Sequence, residues 1–378
     1  MENQSVPSSK PLVKSEIPSI TNMQQRSVIL FHSAIKSKST QETYDTNLRK
    51  FLDYFIIKSY DSLLKIKPRK TQEMIEDYVL HLRGRELSKS SIKSTVCALE
   101  LFYSMNDVML NFKKIKKMYP QAKKPRNSNP YTTEQVKQMI HAFARDPKYI
   151  ALVHFLSASG VRAGFAQYLK IKHLQDMPNG CKSVKVYADE KEEYYTFIHK
   201  EAVTALEYYF EMRKKQGEIL EEESYVFVKR GDKKKPLSQL DITGRFAHTI
   251  RTYLPQGEMK DGRYDTALVH GLRKRWNTIM KNNQEINPLM IEKMFGHSSR
   301  LIPLDSVYHK PSLDILFEEY QKGISDLMLD DNERLKIKIQ NQQSELERIR
   351  EKDEQITTLQ EQLHEVQKHL KELATRVS

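Results

Sequence analysis

The chain of 378 residues is poor in what many cofactor enzymes depend on. Its two cysteines, Cys97 and Cys181, are too few for a disulfide framework or a cysteine-rich zinc site, and they suit a reducing cytosol. Its twelve glycines fall below half the usual share of about 7% and stand mostly alone. No G-x-G-x-x-G or G-x-x-x-x-G-K-[ST] can be drawn from them, which argues against dinucleotide and P-loop chemistry. H-E-x-x-H is missing as well. No apolar run approaches the ~18–20 residues of a bilayer span, and the longest candidate, Tyr149–Leu156, reads as a buried helix. Residues 1–26 are polar and broken by Pro7, Pro11 and Pro18. They carry no secretory signal and are expected to be disordered. The expectation is a cytoplasmic protein with no membrane partner, no metal and no cofactor.

Positive charge is plentiful. Lys and Arg number 62 against 49 Asp and Glu, a formal net charge of +13. From Asp331 to Ser378 ten acids face nine bases, so the residues before that tail carry +14. A basic body of this size favours a polyanion, and DNA or RNA before other partners.

Periodicity divides the chain. From Ser27 the pattern is helical: Ser39–Glu42 offers an N-terminal cap, and Tyr44, Leu48, Phe51, Leu52 and Phe55 recur at helical steps. Pro68 breaks the connection, and two more stripes follow, Met74 to Leu82 and Ile92 to Tyr103. Residues 27–112 therefore read as a small all-α unit. Residues 113–130 hold seven bases, three prolines and no acid. They read as a stiff basic linker whose Lys113, Lys114, Lys116, Lys117, Lys123 and Lys124 lie across a phosphate backbone.

A second domain, 131–330, starts with Thr132 and Thr133 capping Glu134–Ala144. The apolar helix Ile150–Leu156 runs into Ser157–Arg162. Val184, Val186 and Tyr187 alternate as a strand, Ala188–Glu193 turns, and Tyr194–Ile198 returns as a hairpin. A helix over Glu201–Lys215, a short strand at Tyr225–Val228 and further helices from Ile242 complete it. In the tail, 331–378, Leu335, Ile339, Leu346, Ile349 and Ile356 follow coiled-coil spacing, as do Leu359, Leu363, Val366, Leu370, Leu373 and Val377. One three-residue stammer near Asp353 separates the two runs.

Several residues in the second domain are unremarkable singly. Arg162 after Ser-Gly-Val suits a surface arginine. His270 and Arg273 share a helical face at i, i+3, as many solvated pairs do. Gly296-His297 suits a helix C-cap, and Tyr308 before Pro311 suits ordinary packing. In this order, with a lysine-bearing hairpin between the first two, they resemble the tyrosine recombinase (integrase) family across roughly residues 33–330. The first domain is similar to that family's core-binding domain. SASGVRAGFAQYLKIKHL (Ser157–Leu174) is similar to its arginine box, VHGLRKRWNT (Val269–Thr278) to its H-x-x-R box, and FGHSS (Phe295–Ser299) to its glycine-histidine box. With the D-S-V-Y-H-K-P run, the set is most similar to integrases of archaeal viruses and plasmids.

The resemblance implies a mainly α protein: a helical core-binding domain, a mixed α+β catalytic domain with a small hairpin sheet, and the coiled-coil tail. It implies attack by a tyrosine hydroxyl on duplex DNA, leaving a 3′-phosphotyrosine and a free 5′-hydroxyl, by a homo-tetramer on paired sites. Arg162 and Arg273 would neutralise the phosphate oxygens, staying charged at any working pH. His270 and His297 would donate to the same oxygens or exchange protons with the nucleophile. With this much cationic character no Mg²⁺ is required, and a covalent intermediate needs no ATP.

Tyr308, eleven residues beyond His297, is the implied nucleophile; Tyr320, twenty-three beyond, falls on the stripe Leu313, Leu316, Phe317, Tyr320, Ile324 and Leu327 and reads as packing. Lys191 stands where the family's proton-donating lysine is expected, although Glu190, Glu192 and Glu193 surround it and Lys185 is a rival. Phe165 occupies a position, three past the arginine, that the family usually gives to an acid. These departures support one alternative, a DNA-binding protein of recombinase-derived fold with degenerate catalysis; a type IB-like topoisomerase, which shares the chemistry, is another.

Overall fold

The computed structural model describes residues 26–121, 129–254, 259–260, 263–264, 268–297 and 310–377. It divides into two compact units, Met1–Arg126 and Asn127–Ser378. The expected disorder of residues 1–26 falls almost wholly outside the described residues.

The first unit is helical: α1 (Arg26–Ser33), α2 (Lys38–Tyr54), α3 (Tyr60–Leu64), α4 (Pro68–Gly84), α5 (Lys89–Met105) and α6 (Phe112–Lys117). Phe31, Leu48, Phe51, Ile75, Val79, Val96, Leu99 and Phe102 form its core. Ser88 caps α5 by accepting from the Ser91 amide, and Pro68 opens α4. α2 begins earlier than expected, with Ser37 at its N-cap, so Ser39 is already helical. Scarce glycine leaves its mark at the helix ends. Ile56, Glu86 and Asp107 take the left-handed conformation (φ 56°, 56° and 58°). The next residue's amide closes back in each case, Ile57 to Leu52, Leu87 to Leu82 and Val108 to Tyr103. Glycine usually fills that position.

Residues 113–117 do not form part of an extended linker. They are the body of α6, because Phe112 and Ile115 at i, i+3 bury against the first unit's core and Asn111 caps the turn. Lys114 pairs with Glu76 and Lys116 with Glu100, both at 2.7 Å; Lys113 and Lys117 are exposed. Lys123 and Lys124 lie outside the described residues.

In the second unit, a capping box between Thr132 and Gln135 starts α7 (Thr133–Ala142), and α8 (Pro147–Ser159) follows. The strands β1 (Leu174–Met177), β2 (Cys181–Val186) and β3 (Tyr194–Ile198) form an antiparallel sheet in that order. Val186 faces Tyr194 at the mouth of the β2–β3 hairpin. α9 (Lys200–Lys215) follows, then the paired β4 (Val228–Lys229) and β5 (Asp232–Pro236). The strand expected at Tyr225–Val228 is reduced: Tyr225 makes only an isolated bridge to Lys170. α10 (Gln239–Tyr253), β6 (Met259–Lys260), β7 (Arg263–Tyr264), α11 (Leu268–Asn282), α12 (Pro288–Met294), α13 (Leu313–Gln321) and α14 (Ile324–Leu327) complete the body. One core surrounds α8, with Phe155, Phe165 and Phe246; a second gathers Phe197, Trp276, Met294 and Tyr320.

The tail is a single helix, α15 (Asp331–Val377). Its base is fixed to the body, since Lys137 pairs with Asp331 at 2.5 Å and Lys338 with Asp326 at 3.0 Å. The coiled-coil seam faces solvent: Leu335 is 55% exposed and Leu363 58%. No described helix is long and apolar enough to cross a membrane.

Candidate active site

Two glycine-terminated helix ends and one helix face build the site. α8 is apolar almost all round and is accordingly buried. It stops at Gly160 in the left-handed conformation (φ 64°), where a Cβ would lie 2.7 Å from the Trp276 ring. The chain then turns outward and presents Arg162 to solvent. α12 stops in the same way at Gly296 (φ 62°), where a Cβ would lie 2.4 Å from the Tyr194 ring. The His297 amide closes this end by donating to the Glu292 carbonyl at 3.2 Å. α11 supplies His270 and Arg273, one turn apart.

The arginines hold these pieces together. Arg273 donates from Nη1 to the Gly160 carbonyl (2.5 Å) and from Nη2 to the Phe295 carbonyl (2.6 Å). Its guanidinium lies 3.5 Å from the centre of the Phe295 ring. Arg162 donates from both terminal nitrogens to the Gly296 carbonyl, at 3.3 Å each. Consecutive carbonyls of the Phe295-Gly296-His297 turn are thus gripped by the two cations. Burial pulls the pKa of Arg273 down to about 10, with Tyr194 acting against the shift.

His270 is solvent-accessible. Desolvation of its ring, then the charges of Arg273, Lys274 and Arg162, lower its pKa, so the neutral imidazole prevails near pH 7. His297 Nδ1 lies 2.7 Å from Glu292 Oε2, and Lys281 pairs with the same carboxylate at 2.5 Å. Burial works to raise the Glu292 pKa, but Lys281 and His297 together hold it below its ordinary value. An ionised carboxylate only accepts, so Nδ1 carries the hydrogen of this contact and Nε2 is left for another partner.

The structure therefore gathers Arg162, His270, Arg273 and His297. It does not bring in Lys191, which is exposed in the hairpin turn and makes no ion pair among the described residues. Lys185 is paired with Glu193 at 3.1 Å, a contact that raises its pKa. Tyr308 lies outside the described residues. Tyr320 is fully buried and donates to the Ala158 carbonyl at 2.9 Å, and burial pushes its pKa well above the ordinary value. Phe165 is a core residue stacked on Phe155, with ring centres 4.9 Å apart. Sequence reasoning missed Glu292 and Tyr194. Glu292 stands five residues before His297, within one helix end, and that spacing could have found it; for Tyr194 no signal existed. Among the described residues no group of three or more His, Cys, Asp or Glu side chains is placed to hold a metal ion.

Paired guanidiniums with two imidazoles near them have the chemistry to neutralise a phosphate undergoing substitution, where charge grows on the non-bridging oxygens. Residues 130–303, somewhat under half of the chain, match the phage integrase family, which supports a site-specific recombinase or integrase function. Among solved structures, the Tn1549 transposon integrase in complex with circular intermediate DNA aligns with TM-score 0.54 at 18% identity, covering 78% of this chain and 99% of that one. XerH site-specific recombinase bound to its palindromic difH substrate aligns with TM-score 0.50 at 16% identity, covering 71% and 80%. At these identities the likeness is one of fold. No curated protein matches the chain.

Proposed function

We propose that this protein is the integrase of a mobile element, of the kind carried by archaeal viruses and plasmids, and that it breaks and rejoins duplex DNA through Tyr308. The observation that carries the reading is the grip of Arg162 and Arg273 on the Phe295–His297 turn. It puts two cations and two imidazoles around one space, and a phosphate there would replace neutral carbonyls as their partner. The solved structures of similar fold are described with DNA bound, and the net charge of +13 supports the same partner.

In this mechanism the Tyr308 oxygen attacks phosphorus as its proton passes to the His270 imidazole, whose lowered pKa leaves it neutral near pH 7. Arg162 and Arg273 neutralise the non-bridging oxygens. His297, fixed through Nδ1 by Glu292, offers Nε2 to the same phosphate. A proton donor on the β2–β3 hairpin, where Lys191 and Lys185 stand, completes departure of the 5′-oxygen. The fixed cations supply the charge stabilisation, and the phosphotyrosine keeps the phosphodiester's energy for rejoining. Lys113, Lys114, Lys116, Lys117, Lys123 and Lys124 serve phosphate contact in the proposal. The exposed seam of α15 serves self-association of a tetramer on paired sites, within the cytoplasm and on the nucleoid.

Suicide duplexes resolved on denaturing gels test the reading. The wild type should form a covalent protein–DNA adduct and Tyr308→Phe should not, with DNA binding retained; adduct from Tyr308→Phe would refute the assignment. Tyr320→Phe should still form adduct. The buried, apolar Phe165 and the acidic hairpin favour a second reading, a DNA-binding protein without cleavage, for which the wild type itself gives no adduct. Strand exchange against plasmid relaxation separates a recombinase from a type IB-like topoisomerase.

A further inference from the structure

The seam of α15 is symmetric along its length. From Leu335 to Val377 its positions follow one another at steps of 4, 3, 4, 3, 4 and 3 residues, then 3, 4, 3, 4, 3 and 4. The second half is the first in reverse. Ile356 is the turning point, with six seam positions on either side. An unbroken heptad stripe reads alike in both directions. A stripe broken by a stammer does so only when the break falls at its midpoint, and here it does.

Among the described residues of this stripe, Leu346, Ile349, Ile356, Leu359, Leu363 and Val366 all stand exposed. The body is met on another face, through Ile337 and the Lys338–Asp326 pair. A 47-residue helix with a bare apolar seam has the form of one strand of a coiled coil. Paired with a second copy over about 63 Å, the seam would cover on the order of 2,000 Å² in all, the area of a stable specific interface.

We propose that α15 pairs with α15 of a second copy in antiparallel sense, about a two-fold axis at Ile356. Leu346 then meets Val366 of the partner subunit, Ile349 meets Leu363 of the partner subunit, and Asp353 meets Leu359 of the partner subunit. Each contact recurs across the axis, as a two-fold interface requires. Every seam position meets a seam position, and the two stammers coincide. A parallel, in-register pair would align the stammers too. It would, however, set Asp353 against Asp353 of the partner subunit, two carboxylates facing across one layer of the seam. Antiparallel pairing moves them about 9 Å apart along the coil and puts a leucine opposite each. The two bodies stand at opposite ends of the rod, so the tail joins copies that lie apart, not neighbours side by side. This pairing does not rest on the recombinase reading; under that reading it suits bodies bound to two duplexes.

Disulfide trapping in the full-length chain tests the direction. The background is Cys97→Ser, in which the remaining Cys181 is buried. Leu346→Cys and Val366→Cys proteins are oxidised singly and as an equal mixture, then run on non-reducing gels. The mixture should give a cross-linked dimer, and each protein alone should give almost none. Ile356→Cys, on the axis, should cross-link with itself. Self-linking by Leu346→Cys or Val366→Cys overturns the antiparallel sense and leaves a parallel pair. An unlinked Ile356→Cys protein, or a wild-type chain that sediments as a monomer at micromolar concentration, overturns the pairing altogether. A trimer overturns its two-stranded form. Adduct formation on suicide duplexes is read separately: its failure in the wild type sinks the recombinase reading and leaves the pairing standing.

Discussion

The two faces of α11 carry buried arginines of opposite meaning. Arg273 and Arg275 stand two residues apart, and each is 2% exposed. Burial draws the pKa of each down to about 10. Neither has a carboxylate within ion-pair reach among the described residues. On the site face, Arg273 rests on the carbonyls of two loop turns, Gly160 and Phe295. On the core face, Arg275 donates to Ser157 Oγ (3.1 Å), Thr133 Oγ1 (3.2 Å) and the carbonyls of Asp326 and Leu327. The Arg275 partners come from α7, α8 and the end of α14, and their bonds tie the packing of these helices together. The Arg273 partners edge a space that Arg162, His270 and His297 also border. On the proposed reading, equal burial does not separate a working cation from a structural one; the setting of its acceptors does.

Arg273→Lys should have the largest effect, keeping the charge but losing the planar fork. Single-turnover adduct formation should fall ~10²–10³-fold, with a urea midpoint close to that of the wild type. Arg275→Met should reverse the pattern. It strands Ser157 and the α14 carbonyls in the core, which should cost about 2–4 kcal/mol of unfolding free energy, while adduct formation per folded molecule changes little. If Arg275→Met silences cleavage at unchanged stability, the distinction between the faces fails.

The same helix marks what sequence could and could not convey. Periodicity located α4, α5, α8 and the long tail, because each has a strong apolar stripe or run. The order of boxes pointed to Arg162, His270, Arg273 and His297, side chains that the fold brings near one another. Arg275 in the same box is indistinguishable by type from Arg273; only the packing of α14 against α11 separates them. α6 was read as linker because four lysines outweigh two apolar residues in composition, whereas burial of Phe112 and Ile115 decides the fold.

Histidines sharpen the comparison, with the smallest expected effect. On the site face His270 and His297 are accessible. On the core side His154 and His199 are enclosed, with Nδ1 of each lacking a hydrogen-bond partner. Desolvation alone draws His154 down to about 4. For His199 desolvation, then His154 and Arg275, draw it to about 3. Both are therefore neutral in the folded protein, while in the unfolded chain each takes a proton below about pH 6.5. The unfolded state binds more protons in that window, so stability must fall as pH drops from about 7 towards 4 and be flat above 7 on this account. Glu201, 4.0 Å from His154, works the other way: burial raises its carboxyl despite the Leu329 and Asp330 amides donating to it, so acid favours its folded form. With that offset, each histidine should cost about 1–2 kcal/mol by pH 5. Urea unfolding at pH 7, 6 and 5 measures the slope, and His199→Gln should remove roughly half of it. His270→Gln, whose lowered pKa pulls the same way, should change the slope less than His199→Gln does. A slope that follows His270 instead of His199 would mean that the site face, and not the core face, carries the acid sensitivity.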